Sequence, residues 1–179
     1  MLQYCSIMRV AEVFFKEPTT KHYLIEISRR SKLAHTSVKK YLDTLRKDKI
    51  IIRQDEKRGK RNFPFFIANL NSPQYKSHKR FFNILSLNNS GLINFIKDKL
   101  TPRSIVVFGS YSLGEDTENS DIDLFVEAKS HIIKLEAFEK KLKRKIELHF
   151  NEDFNSYSSE LKNNIVNGSI VYGYLEVFK

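Results

Sequence analysis

The sequence predicts an α+β fold in two parts: helices closed by a β-hairpin, then, after a helical connection, a module whose strands carry the chemistry. Three observations predict it. The first is charge. Residues 1–70 hold 16 Lys and Arg against 7 Asp and Glu, residues 71–100 hold 5 against 1, and residues 101–179 hold 10 against 13. A basic front joined to an acidic back suggests a module that meets polyanions, fused to one with another task. The second is apolar periodicity, which is helical up to Lys47 and then turns β-branched at Ile50-Ile51-Ile52. The third is a strand-sized apolar run, Ile105-Val106-Val107-Phe108, followed at once by Gly109-Ser110. After ten more residues comes Asp121-Ile122-Asp123, at the head of a second apolar run.

Composition sets the bounds. With 179 residues, 41% hydrophobic and 29% charged, and only 6 Gly and 4 Pro, the chain is one ordinary domain or two small ones and is not low-complexity. Its apolar runs are strand-sized, which excludes a transmembrane helix and a membrane partner. The single cysteine, Cys5, forms neither an internal disulfide nor a thiolate metal cluster. Met1-Leu2-Gln3-Tyr4-Cys5 lacks a signal pattern, so a soluble, cytoplasmic protein is expected.

In the basic part, residues 7–15 are apolar at helical spacing and stop before Pro18. A second helix is expected over 23–30, with Leu24, Ile25 and Ile27 on its apolar side. A third runs over 37–47, where Val38, Tyr41, Leu42 and Leu45 stand at i, i+3, i+4 and i+7 behind the capping types Thr36 and Ser37. Strands are expected over 50–53 and 63–67, around a basic turn at 55–61. Pro64 confines the second strand to a sheet edge. Two close helices followed by a hairpin with a Lys/Arg tip is the layout of a winged helix-turn-helix.

The stretches from Tyr23-Leu24-Ile25-Glu26-Ile27 to Leu45-Arg46-Lys47-Asp48-Lys49-Ile50-Ile51 resemble the winged helix-turn-helix domains of small prokaryotic regulators, with Lys32 near the place of the usual turn glycine. The resemblance implies that Thr36, Ser37, Lys39 and Lys40 face base edges and phosphates, and that Lys57, Arg58, Lys60 and Arg61 touch DNA backbone. Winged helices also serve as protein–protein modules, and that alternative stays open. The expected organisation is a winged helix-turn-helix over 1–70, a helical linker over 71–89 and a catalytic domain over 90–179. Helices are expected over 74–87 and 92–100, separated by Asn88-Asn89-Ser90-Gly91.

The acidic part has a readable chemistry. Strand alternation puts Asp121 and Asp123 on one face, about 6.5–7 Å apart at Cα. Two carboxylates converging there repel unless a cation lies between them, and hard oxygen ligands without Cys or His suit Mg²⁺ together with substrate phosphates. Gly109 lets backbone approach a ligand closely, and Ser110 adds a hydroxyl at a strand-to-helix turn. A third carboxylate is sought on the later strand 145–150, where Glu147 is the only acid and lies on the polar face with Lys145 and His149. His149 reads first as a surface or packing residue, with a place lining the site as the alternative.

Val107-Phe108-Gly109-Ser110-Tyr111 through Ser120-Asp121-Ile122-Asp123-Leu124-Phe125-Val126 resembles the minimal nucleotidyltransferases of the DNA polymerase β superfamily. The likeness extends to Ile165-Val166-Asn167-Gly168-Ser169-Ile170-Val171-Tyr172-Gly173, which resembles that family's closing helix, glycine and last strand. It implies a mixed sheet with helices on one face. It also implies a nucleoside triphosphate held at Gly109 and Ser110, Mg²⁺ at Asp121 and Asp123, and Glu147 in the third acidic place, orienting or deprotonating the acceptor hydroxyl. Relatives often carry Arg where this chain has Leu113, ahead of Gly114.

The expected reaction is attack of a hydroxyl on the α-phosphorus with loss of pyrophosphate, AMP from ATP being the leading case. The partners implied are an NTP, DNA, a small helical HEPN-like protein that accepts AMP on a tyrosine, and a second copy of this chain. The competing reading is a DNA-binding regulator whose nucleotidyltransferase domain is inactive or senses nucleotide. A small-molecule acceptor is a third.

Overall fold

A computed structural model describes residues 5–151 and 154–177, and the side chains of Arg58 and Asn155 lie outside what is described. The chain divides into two units, residues 1–79 and 80–179, the division falling between Lys79 and Arg80.

In the first unit, α1 (Ser6–Lys16) buries Val10, Ala11, Val13, Phe14 and Phe15, the stripe its spacing foretells. Helix α2 (Leu24–Ser31) buries Ile27 but leaves Ile25 72% exposed, so the apolar side expected there is narrower. Helix α2 ends on Lys32, whose φ of 54° is the left-handed conformation usually left to glycine. Helix α3 (His35–Lys47) buries Val38, Leu42 and Leu45. It starts earlier than the capping types suggest. Ala34 is the N-cap with no side-chain bond, and Val38 N–H closes the first turn on the Ala34 carbonyl at 3.0 Å, which puts Thr36 and Ser37 inside the helix.

The hairpin is longer than its sequence suggested. Strands β1 (Ile51–Arg58) and β2 (Arg61–Ala68) pair antiparallel from Ile51↔Ala68 to Arg58↔Arg61, which leaves a two-residue Gly59-Lys60 turn with Gly59 at φ 62°. The basic run is therefore mostly strand. His22 is wholly buried and bridges β2 through both backbone bonds to Phe66, at 2.9 and 2.8 Å. Around it, Arg30 donates to both carboxylate oxygens of Glu17 at 2.5 and 2.8 Å and to Glu26 at 3.0 Å. Burial pushes the Glu26 carboxyl up, but the bonds and charges of Arg30 and His22 outweigh it and hold the group below its ordinary range. Helix α4 (Pro73–Ser90) begins in this unit, where the Tyr75 hydroxyl donates to the Phe14 carbonyl at 3.3 Å.

In the second unit, α5 (Leu92–Leu100) precedes a four-stranded mixed sheet ordered β5-β4-β3-β6. Its strands are β3 (Ser104–Phe108), β4 (Ile122–Val126), β5 (Ile146–Phe150) and β6 (Ser169–Gly173). β3 is antiparallel to both β4 and β6, whereas β4 and β5 run parallel. A parallel pair needs a crossover, and α7 (Glu136–Leu142) lies within it. Helix α6 (Gly109–Leu113) follows β3 directly, and α8 (Ser159–Val166) precedes β6.

Every residue of β3 is buried, which requires cover on both faces. Ile105, Val107, Ile122, Leu124 and Val126 pack with Leu87, Leu92, Ile93 and Ile96 of α4 and α5. Val106, Phe108 and Phe125 pack with Phe154, of a short 3-10 turn (Phe154–Ser156), and with Ile165 of α8. The expectation of helices on one face is thus corrected. The second face carries three large apolar groups of its own, and α8 covers them. No helix among the described residues is long and apolar enough to cross a membrane.

Candidate active site

Two strand registers assemble the site. Phe108 of β3 lies opposite Asp123 of β4, so Gly109, the next residue, arrives beside that carboxylate. Gly109 has φ 67°, and a Cβ built on it would stand 2.6 Å from Asp123 Oδ2. Only glycine admits this approach without displacing the acid. On its other side Asp123 pairs with Glu147 of β5 in parallel register. Side chains level with one another on a parallel pair point the same way, so the two carboxylates share a face.

The same alternation brings in His149, two residues beyond Glu147. One ligand atom each from Asp123, Glu147 and His149 lies within 4.8 Å of the other two. His149 Nε2 is 3.4 Å from Asp123 Oδ1, and its ring meets Phe108 edge-on with centroids 5.1 Å apart. Asp123 and His149 are partly open, with side chains 27% and 31% exposed, and Glu147 is exposed. Asp121 stands outside this group. It is half-buried just ahead of β4, next to the point where Ile122 N–H bonds the Lys145 carbonyl at 2.9 Å. Of the three acids read from the sequence, the structure brings two together and adds His149, for which lining the site was the second reading.

The turn is braced from behind. Ser110 is half-buried in the first turn of α6, and its carbonyl accepts the N–H of Glu115 at 3.0 Å. Ser112 Oγ donates to the Gly109 carbonyl at 3.0 Å. Asn83 of α4, 2% exposed, donates to the Tyr111 carbonyl at 2.8 Å and to Asp116 Oδ1 at 2.7 Å. Asp116 is 1% exposed and faces Arg144 Nη2 at 3.7 Å, with the Arg144 side chain only 8% exposed. None of these three was read as functional in the sequence. A lone Asn in a helix and an Arg in a basic run carry no signal of their own.

The network gives a prediction. Asp116→Ala removes the buried carboxylate that accepts from Asn83 and faces Arg144, so the second unit should lose about 3 kcal/mol of stability by denaturant titration, the range for breaking one side of a buried pair. An Asp116→Ala loss within a few tenths of a kcal/mol of zero would show that the brace is idle.

The donor set suits a divalent cation: two adjacent carboxylates and an imidazole, open enough to admit phosphate and pressed against a glycine turn. Leu113, where relatives often carry Arg, is 45% exposed and supplies no charge.

In the first unit Thr36, Lys39 and Lys40 are exposed on α3 and Ser37 is half-buried; Lys57, Lys60 and Arg61 are exposed on the hairpin, and the Arg58 side chain lies outside the described residues.

Residues 90–172 match the family described as Nucleotidyltransferase domain. The chain is also similar to a Methanocaldococcus jannaschii protein named "Putative protein adenylyltransferase MJ1379", at 59% identity over 32 residues, which are 18% of this chain and 32% of that protein. The chain thus spans about a third of the length of that curated relative. No solved structure matches it. Residues 90–172 thus carry a nucleotidyltransferase domain of polymerase β-like type, joined in sequence to an N-terminal helical unit.

Proposed function

We propose that residues 90–179 transfer a nucleoside monophosphate, AMP from ATP, to a hydroxyl on a protein partner in a Mg²⁺-dependent reaction. The observation that carries this reading is the pairing of Asp123 with Glu147 beside the Gly109 turn. In the reaction the acceptor oxygen forms a bond to the α-phosphorus, the bond from that phosphorus to the bridging oxygen breaks, and pyrophosphate leaves with the electron pair. Gly109 and Ser110 hold the triphosphate. Asp123 and Glu147 would hold Mg²⁺, and Glu147 also orients the acceptor hydroxyl and receives its proton. When bound, the ion offsets charge that develops on the transferring phosphate.

Support for a protein acceptor comes from the archaeal relative, whose name is that of a protein adenylyltransferase. The partner class implied by the sequence resemblance is a HEPN-type toxin with a tyrosine hydroxyl. The test uses ATP labelled at the α-phosphate. Label should pass to a co-purified partner in Mg²⁺, whereas γ-labelled ATP should leave none. Label from γ-labelled ATP and none from α-labelled ATP would identify a phosphotransferase instead.

Residues 1–70 we read as a DNA-binding winged helix. Exposed Lys39 and Lys40 on α3, exposed Lys57, Lys60 and Arg61 on the hairpin, and an open groove beside it that includes Arg46, Lys49 and Arg53 support this. Charge reversal is unnecessary to test it. Lys39→Ala with Lys40→Ala should flatten the slope of log affinity against log salt by about 0.9 for each phosphate contact removed. An unchanged slope with unchanged affinity would place DNA elsewhere.

A further inference from the structure

We propose that His149 is a direct ligand of the divalent cation at this site, forming with Asp123 and Glu147 a mixed nitrogen and oxygen set that favours Mn²⁺ over Mg²⁺. The proposal rests on the metal-dependent reading above and deepens it. The sequence pointed to an all-carboxylate site of Asp121, Asp123 and Glu147, whose oxygens suit Mg²⁺ and give Mn²⁺ no nitrogen ligand. The folded chain instead groups Asp123, Glu147 and His149, each offering a ligand atom within 4.8 Å of the others.

Three features turn that grouping into a site. The strand registers fix it: Asp123 pairs with Glu147, and Phe125 pairs with His149, so all three ligands come from two hydrogen-bonded strands rather than from mobile loops. The His149 ring is set by its edge-on contact with Phe108, a residue only 5% exposed. Gly109 closes the other side of Asp123 so tightly that a methyl group would displace the carboxylate, which leaves Oδ1 to face the imidazole at 3.4 Å. An imidazole nitrogen is a borderline donor. It strengthens binding of Mn²⁺ and later first-row ions far more than of Mg²⁺, which prefers oxygen and retains its waters.

The other His and carboxylate grouping, Glu17, His22 and Glu26, does not compete. Arg30 already bonds both of its carboxylates, and His22 Nε2 faces the Glu17 carbonyl at 3.0 Å.

The experiment uses the full, tag-free chain with Mn²⁺ alone and reads electron spin-echo modulation from ¹⁴N. Wild type should show the coupling of one directly bound imidazole. His149→Gln should lose it, and His22→Gln should keep it. By calorimetry, His149→Gln should weaken Mn²⁺ binding by at least about tenfold, since even outer-shell partners are worth 10- to 100-fold. Mg²⁺ binding should change by less than Mn²⁺ binding. His149→Phe, which keeps a ring against Phe108, should behave like His149→Gln and so separates ligation from packing. Bound Mn²⁺ without nitrogen coupling, coupling that survives His149→Gln, or no Mn²⁺ binding without nucleotide would each overturn the proposal. Nitrogen coupling from His149 in a protein that transfers no nucleotide would instead overturn the proposed activity and leave the metal site standing.

Discussion

Asp123→Asn is expected to lower nucleotidyl transfer by about a thousandfold or more, a loss of roughly 4 kcal/mol in the transition state. The amide keeps the shape of the side chain and removes the charge that faces Glu147 and the phosphates. The loss should come without unfolding. Asp123 and Glu147 repel each other in the metal-free chain, so neutralising one leaves the thermal midpoint unchanged or slightly raised. The measurement is a pair: label transfer from α-labelled ATP, and thermal unfolding without metal. Full transfer by the variant would remove Asp123 from the chemistry. Lost transfer with a collapsed midpoint would make it a structural residue.

Gly109→Ala should be nearly as damaging to activity, by a different route. An alanine at φ 67° costs about 1–2 kcal/mol in backbone strain alone. Its methyl would also stand 2.6 Å from Asp123 Oδ2, which is the end of a side chain and so yields by rotating away from the turn, out of its place beside Glu147. Misplacing a reacting group by about 1 Å costs on the order of a hundredfold in rate. Gly59→Ala is the control. Gly59 has a φ of 62° with nothing within 4 Å of the added carbon, so it carries the strain and no clash. Gly109→Ala should therefore lose both stability and transfer, and Gly59→Ala stability only. If both variants keep full transfer, the approach of the turn to Asp123 has no part in catalysis.

Much of this was legible because strands report themselves in alternation. Asp123 is fixed by the apolar residues on either side of it, and Glu147 by Ile146 and Leu148, so the side on which each acid stands follows from the sequence. What alternation does not give is depth along the strand. Alternation alone would put Asp121 and Asp123 on one face, yet only Asp123 lies level with Glu147, because Asp121 precedes the strand and the β5 register starts at Ile146. His149 ranked below packing as a site residue for the same reason: its approach to Asp123 depends on a partner strand that no local pattern identifies.

Helix α7 was missed because it has seven residues and only Phe138 and Leu142 touch the core, too short a stripe to stand out. The start of α3 was misplaced because Thr36 and Ser37 are strong capping types, while burial of Val38 and Leu42 pulled the first turn two residues earlier. The Asn83, Asp116 and Arg144 brace joins residues far apart in sequence, each unremarkable alone.

The parallel pairing of β4 with β5 makes reactivity hostage to the length of one connection. β5 is an outer strand with a single neighbour, and everything it contributes is delivered by the crossover that contains α7. Inserting or deleting one residue there would turn Glu147 and His149 to the opposite side of the sheet. A slip of two would restore the side but set Lys145 or His149 level with Asp123, replacing an acid with a base. Indels in this crossover are thus a simple way to silence such a domain while sparing its hydrophobic interior, and lineages that have turned transferase into scaffold are where they should accumulate.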